Sequence, residues 1–267
     1  MDKRPIGVMD SGLGGLSVIR VLREQMPQES VIFVGDQGHF PYGTKTKEQI
    51  QQLALRIGKF LLEQDVKMMI IACNTATAAA LQLLQNELPI PIIGVIEPGA
   101  MAATQHHYKR IGVIGTESTI KNGAYAKTLA KLNPTLSVIS SPAQPLVSIV
   151  EHGQTGTSEA QKAVDTELEV FDNKSIEALI LGCTHFPFLQ KEIYNKLGSN
   201  VQLIDPAFET IRQAKELLTS ENQLSDNLTS SINLYSTGDV KDLVAGAQKW
   251  LPNGYSKCAH IELNEED

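Results

Sequence analysis

Only three cysteines occur in the 267 residues. That odd, low number cannot build a disulfide framework and fits a reducing compartment, so a cytoplasmic location is expected. No tight Cys-x-x-Cys pair is present, which removes the compact zinc motifs. No apolar run approaches the roughly 20 residues of a membrane span. The N-terminal "MDKRPIGVMDSGLGG" starts basic, but Asp10 and the glycines interrupt any apolar core, so no secretory signal is expected. The formal net charge is -7 and no dense Lys/Arg block occurs. Nucleic acid and anionic membrane are therefore not expected as partners.

What the chain does have is 42% hydrophobic residues, enough for one large α/β unit or two smaller ones. Short aliphatic runs alternate with helical patterns. Strands are expected at Ile6–Met9, Val31–Gly35, Met68–Ala72, Ile92–Ile96, Ile111–Ile114, Leu136–Ile139, Ala178–Leu181, Val201–Ile204, Ile232–Tyr235 and Ala259–Leu263. Most are continuous and rich in Val and Ile, as in parallel strands covered on both faces. In the last, His260 and Glu262 alternate with apolar neighbours, which suggests an edge. The helix over 47–63 carries Ile50, Leu53, Ile57 and Phe60 on one stripe, with Thr46 and Gln49 as a capping box. The polar stretch 219–230 reads as a surface loop.

A weak internal repeat runs through this pattern. "PIGVMDSG" (5–12) resembles "RIGVIGTE" (110–117), and "MIIACNT" (69–75) resembles "LILGCTH" (179–185). The offsets, 105 and 110, are close and in the same order. "VIEPGA" (95–100) and "LIDPAF" (203–208) look like matching crossovers. The fold expected is α/β, as two similar open parallel sheets that, if they face each other, bring several strand ends to one cleft between them. The first domain would comprise 1–97 plus 208–267, and the second, 98–207, would be inserted between the crossovers.

Ligands of parallel α/β sheets bind beyond the carboxyl ends of the strands. The polar clusters lie at such ends: Asp10-Ser11, Asp36, Cys73-Asn74-Thr75, Thr116 and Cys183-Thr184-His185. A free cysteine inside an aliphatic run is commonly a small buried hydrophobe. Cys73 and Cys183 instead stand where the run stops, each expected to precede a helix start that favours a thiolate. Cys258 lacks that context and reads as structural. A thiol acting as a base needs a partner; His185 is placed to serve Cys183, and Asp10 to serve Cys73 if their strands are neighbours. His185 is also open to a purely structural reading. "DSGLGGL" (10–16), with Ser17 and Asp36, approximates a dinucleotide fingerprint, although Asp10 would set a carboxylate beside the pyrophosphate. A nucleotide-binding oxidoreductase is thus the alternative enzyme, and an amino-acid-binding protein the non-catalytic one. Cys73, Cys183 and His185 could supply three zinc ligands, but at spacing unlike a zinc motif. "PYG" (41–43) is a turn through which Gly43 can approach a ligand.

Taken together, "MDSGLGGL", "PYG", "ACNTA", "GTEST" and "GCTHFP" resemble, in order, the signature segments of the glutamate racemases of the aspartate/glutamate racemase superfamily. The resemblance implies an active site in the cleft between the two domains, and a cofactor-independent enzyme that interconverts L- and D-glutamate and feeds D-glutamate to peptidoglycan synthesis in a bacterium. It implies that Cys73 and Cys183 are the acid/base thiols, with Cys73 acting on D-glutamate and Cys183 on L-glutamate. Asp10, His185 and Glu151 would assist; Glu151 is assigned by the resemblance alone. Substrate would be held by Asp10, Ser11, Tyr42, Gly43, Asn74, Thr75, Thr116, Thr119, Thr184 and His185. No metal or cofactor is expected, and a homodimer is the expected assembly. Inverting a carbon requires a proton to leave one face and another to arrive at the opposite face, which would explain why each half ends a strand in a thiol.

Overall fold

The computed structural model describes residues 1–251 and 254–263. Among these, ten strands form two all-parallel sheets. The strands are β1 (Ile6–Asp10), β2 (Val31–Gly35), β3 (Met68–Ile71), β4 (Ile92–Gly94), β5 (Arg110–Gly115), β6 (Ser137–Pro142), β7 (Ala178–Gly182), β8 (Gln202–Ile204), β9 (Ile232–Ser236) and β10 (Lys257–His260). The helices between them are α1 (Leu16–Gln25), α2 (Lys47–Glu63), α3 (Asn74–Glu87), α4 (Ile96–Thr104), α5 (Glu117–Asn122) and α6 (Ala124–Leu132). After these come α7 (Gln144–Glu151), α8 (Ser158–Glu167), α9 (Gln190–Leu197), α10 (Pro206–Ser220) and α11 (Val240–Trp250).

The larger sheet has the order β10-β9-β2-β1-β3-β4, the smaller β6-β5-β7-β8. The four-strand run β2-β1-β3-β4 and the run β6-β5-β7-β8 are the same topology. The repeat seen in the sequence therefore has a structural counterpart: β1 corresponds to β5 and β3 to β7. The smaller sheet lies between the crossovers, and the chain returns through α10 to complete the larger one.

Burial follows the two-residue period of a strand. In β1 and β3, Ile6, Val8, Met68 and Ile70 face α1, α10 and α11, while Met9, Met69 and Ile71 face α2 and α3. In β7, Ala178 and Ile180 join one core and Leu179 and Leu181 the other. Cys73 continues the face of Met69 and Ile71, and Cys183 that of Leu179 and Leu181. The two thiols are thus in equivalent register at the ends of equivalent strands. At the opposite end of the larger sheet, the buried pair Lys67 Nζ–Glu29 Oε2 (2.6 Å) and the bonds from Lys67 to the Asp2 and Gln223 carbonyls close the structure.

The capping box of α2 is present: Gln49 N donates to Thr46 Oγ1 at 3.2 Å and Thr46 N to Gln49 Oε1 at 2.9 Å. Three local expectations need correction. The last strand runs over 257–260 rather than 259–263: Ile261 N makes the final bond to the Ser236 carbonyl, and Ile261 and Leu263 pack on the α2 side beyond the strand. The fourth strand stops at Gly94, and α4 has begun by Ile96. Cys183 is followed by a tight turn and a 3₁₀ segment, Phe186–Leu189, before α9, rather than by an α-helix. Pro187, without an N–H, is tolerated only in that first turn.

Candidate active site

Both thiols line one narrow pocket at the carboxyl ends of the two sheets. From the larger sheet come Ser11, Tyr42, Gly43, Cys73, Asn74 and Thr75; from the smaller come Thr116, Cys183, Thr184 and His185. Hydrogen bonds cross between the sheets here. Thr75 and Thr116 share a hydroxyl bond of 2.9 Å, Tyr125 Oη donates to Asn74 Oδ1 at 2.7 Å, and Thr184 Oγ1 donates to Asp10 Oδ1 at 3.3 Å.

Three of the expected site residues lie behind this wall. Asp10 is fully buried at the end of β1, and its second oxygen accepts from Gly12 N at 3.1 Å. Although β1 and β3 are neighbours, the side chain that meets Cys73 is Ser11, at 3.5 Å. Thr119 braces Thr116 through a 2.9 Å hydroxyl bond. Glu151, the last residue of α7, reaches His185 Nε2 at 2.5 Å.

The two thiols have unlike surroundings. Cys73 caps α3, accepting from Ala76 N at 3.4 Å, yet burial and then the charge of Asp10 push its pKa up to about 12. The helix start does not make Cys73 a thiolate here, because desolvation outweighs one N–H. Cys183 Sγ lies 3.4 Å from His185 Nδ1. Burial opposes charge on His185, but Cys183 and then Glu151 prevail, and its pKa is raised well above the ordinary imidazole range. Burial also raises Asp10 to about 6, against the pull of His185.

The dinucleotide reading does not survive this geometry. A Cβ on Gly12 would stand 2.8 Å from Glu151 Oε1, and one on Gly14 would stand 2.7 Å from His185 Nδ1. The glycines thus admit the second half of the chain to the first. Asp36 is already engaged by Tyr42 Oη (2.5 Å), Thr237 Oγ1 (2.6 Å) and His39 Nδ1 (2.8 Å), leaving no free carboxylate for a ribose. Among the described residues, no three His, Cys, Asp or Glu side chains are grouped to hold a metal ion.

Sequence reasoning missed Phe40, Pro41, Gln144 and Val147, which also line the cavity. Gln144 Oε1 is buried there without a hydrogen-bond partner among the described residues. Gln144, Val147 and Glu151 share one helical stripe by their spacing of three and four. Polar residues at both ends of an apolar stripe were the available signal.

A smaller cavity behind Cys183 holds Asp205, the N-cap of α10, and Ser17. Asp205 Oδ1 accepts from Ala207 N at 2.9 Å, while Oδ2 has no partner among the described residues. Burial raises Asp205 from 3.8 to about 6. The folded state therefore holds this proton more tightly than the unfolded chain, so stability falls as pH rises from about 4 to 6. Asp205→Asn, which keeps the cap, should raise Tm at pH 8 by on the order of 5 °C. The gain should vanish as pH falls toward 4. Calorimetry at both pH values checks this, and a lower Tm at pH 8 would contradict it.

Two like sheets facing each other with a thiol at each strand end define a class. The chain belongs to the Asp/Glu/hydantoin racemase family, whose model matches residues 6–214. The likeness narrows to the glutamate racemases of that family. The glutamate racemase of Limosilactobacillus reuteri (strain DSM 20016) is 95% identical over 266 residues, covering 100% of both chains. That of Limosilactobacillus fermentum (strain NBRC 3956 / LMG 18251) is 54% identical, again over 100% of both. Among solved structures, a glutamate racemase isoform from Bacillus anthracis superposes with a TM-score of 0.94 at 37% identity, covering 98% of this chain and 99% of that one. The glutamate racemase from Francisella tularensis, solved in complex with D-glutamate, has a TM-score of 0.92 at 35% identity, with 99% of each chain covered. No described helix is long and apolar enough to cross a membrane.

Proposed function

We propose that this chain interconverts L- and D-glutamate by two-base proton transfer at Cα, with Cys183 accepting the proton of L-glutamate and Cys73 that of D-glutamate. The observation that carries this reading is the equivalent placement of the two free thiols, one from each like sheet, on a single cavity. Their unlike surroundings fit an acid–base pair. Cys73, with its pKa near 12, is a protonated thiol ready to donate. Cys183 stands beside an imidazole that holds its proton, and Glu151 holds that imidazole in place. In the L-to-D direction Cys183 removes the proton while Cys73 delivers one to the opposite face. The roles reverse for D-glutamate, with Ser11 and the Ala76 N–H supporting Cys73 as it becomes charged.

The Cα proton of an amino acid is weakly acidic, so the developing carbanion needs donors fixed in advance. Ser11, Asn74, Thr75, Thr116 and Thr184, with the turn at Tyr42-Gly43, are the groups proposed to hold the carboxylates and ammonium. Asp10 and Thr119 act through these residues from behind. The reaction so written uses no metal or cofactor. We further propose that the product serves peptidoglycan synthesis in the cytoplasm, that the two domains divide at 97/98 and 207/208, and that the assembly is a homodimer.

Solvent isotope tests the mechanism. L-glutamate converted in D₂O should give D-glutamate carrying deuterium at Cα, because the donating thiol has exchanged with solvent. Unreacted L-glutamate should stay largely protonated at early times. Mass spectrometry of each enantiomer after a few per cent conversion reads both pools. Early deuterium in the starting enantiomer, or Cα-hydrogen retained in the product, would remove the two-base reading.

A further inference from the structure

Gly43 lines a second hollow as well as the active-site cavity. This hollow is open to solvent and adjoins the cavity at the shared Gly43, which makes it a vestibule beside the site. Its walls come from the segment after Tyr42 and from the start and end of α5. They carry Lys45, Lys47 and Lys121 on either side and one acid, Glu117. Among the described residues, no carboxylate lies within 4.0 Å of any of the three lysine ammonium groups. The vestibule thus has a local charge of +2 on a chain whose net charge is -7.

We infer that this vestibule is an anion-collecting surface that concentrates the amino dicarboxylate substrate at the mouth of the site. The inference rests on the proposed action on glutamate, which carries two carboxylates and one ammonium near neutral pH and so has one net negative charge. Elsewhere the acidic surface repels such a molecule. Unpaired lysines flanking one opening reverse the sign of the field there. Their reach is about one Debye length, roughly 10 Å at 0.1 M salt, which confines the effect to molecules already at the opening. With charges on the order of 10 Å from the substrate in a water-like medium, a net +2 favours the bound anion roughly fourfold. The surface acts on capture and affinity, and the thiols do the chemistry.

Two variants of opposite sign test this with the full chain. The triple change Lys45→Gln, Lys47→Gln, Lys121→Gln should raise KM for L-glutamate about eightfold at low ionic strength, with kcat within twofold. Glu117→Gln removes the opposing charge and should lower KM about twofold. Raising salt to about 0.5 M should raise the parent KM and erase most of the difference between parent and triple variant. A triple variant with the parental KM and the parental salt dependence would overturn the inference, as would a raised KM that salt does not narrow. Failure of the parent chain itself to racemise glutamate would instead overturn the function on which the inference rests, and the parental assay in the same series separates the two.

Discussion

Cys73→Ala and Cys183→Ala should each lower racemisation by about 10⁴-fold or more, while Cys258→Ala stays within a few-fold of the parent. Burial separates the three cysteines in the same order but is not the cause of this contrast. Cys73 and Cys183 are buried and Cys258 is partly so, and all three are free thiols. The difference is position: Cys73 and Cys183 line the cavity, whereas Cys258 packs from the edge strand β10 against the core around α1, α10 and α11. In the proposed mechanism, removing either cavity thiol leaves one face of Cα without a proton donor or acceptor, and inversion needs both faces. Optical rotation of L- and of D-glutamate, with thermal unfolding to verify that each variant is folded, gives the answer. A loss at Cys258 equal to the other two, or a loss under tenfold at Cys73 or Cys183, would contradict the assignment.

His185→Asn should lower kcat/KM by about 10²- to 10⁴-fold, and the loss should be equal for the two enantiomers. Equality is forced by thermodynamics, because the equilibrium constant between enantiomers is one. The asymmetry of the site must appear elsewhere, in isotope effects. His185 touches Cys183 at 3.4 Å, and its side-chain hydrogen bonds among the described residues go to Cys183 and Glu151 and not to Cys73. With the proposed roles, weakening the Cys183 side makes removal of the Cα proton from L-glutamate slower relative to delivery from Cys73. The Cα-deuterium isotope effect should therefore rise for L-glutamate and shrink for D-glutamate. Glu151→Gln, which leaves the imidazole in place but removes its charged partner 2.5 Å away, should act in the same sense and less severely. Competitive isotope measurements in both directions decide this. Unchanged isotope effects beside a large loss of rate would mean that His185 supports the structure and not the proton transfer of Cys183.

The sequence by itself determined the order and approximate extent of the strands, the capping box of α2, the repeat, and the placement of Cys73 and Cys183 where aliphatic runs end. All of these are written in short-range patterns: a two-residue period, a cap three residues from its partner, a run length. The repeat was legible because equivalent strands keep similar residues at a nearly constant offset. The tertiary structure alone decided what faces what. Asp10 ends β1 beside β3, the strand that leads to Cys73, yet its side chain accepts from Thr184, far along the chain. Gly12 and Gly14 look like a phosphate loop in sequence but are small because Glu151 and His185 press against them. Asp36 resembles a ribose ligand until Tyr42 and Thr237 are found to engage it. Gln144 joins the cavity only because α7 packs at the end of the smaller sheet. These are contacts between segments distant in the chain, and no local period encodes them. They follow from how two sheets, each with its own cores, meet at their carboxyl ends.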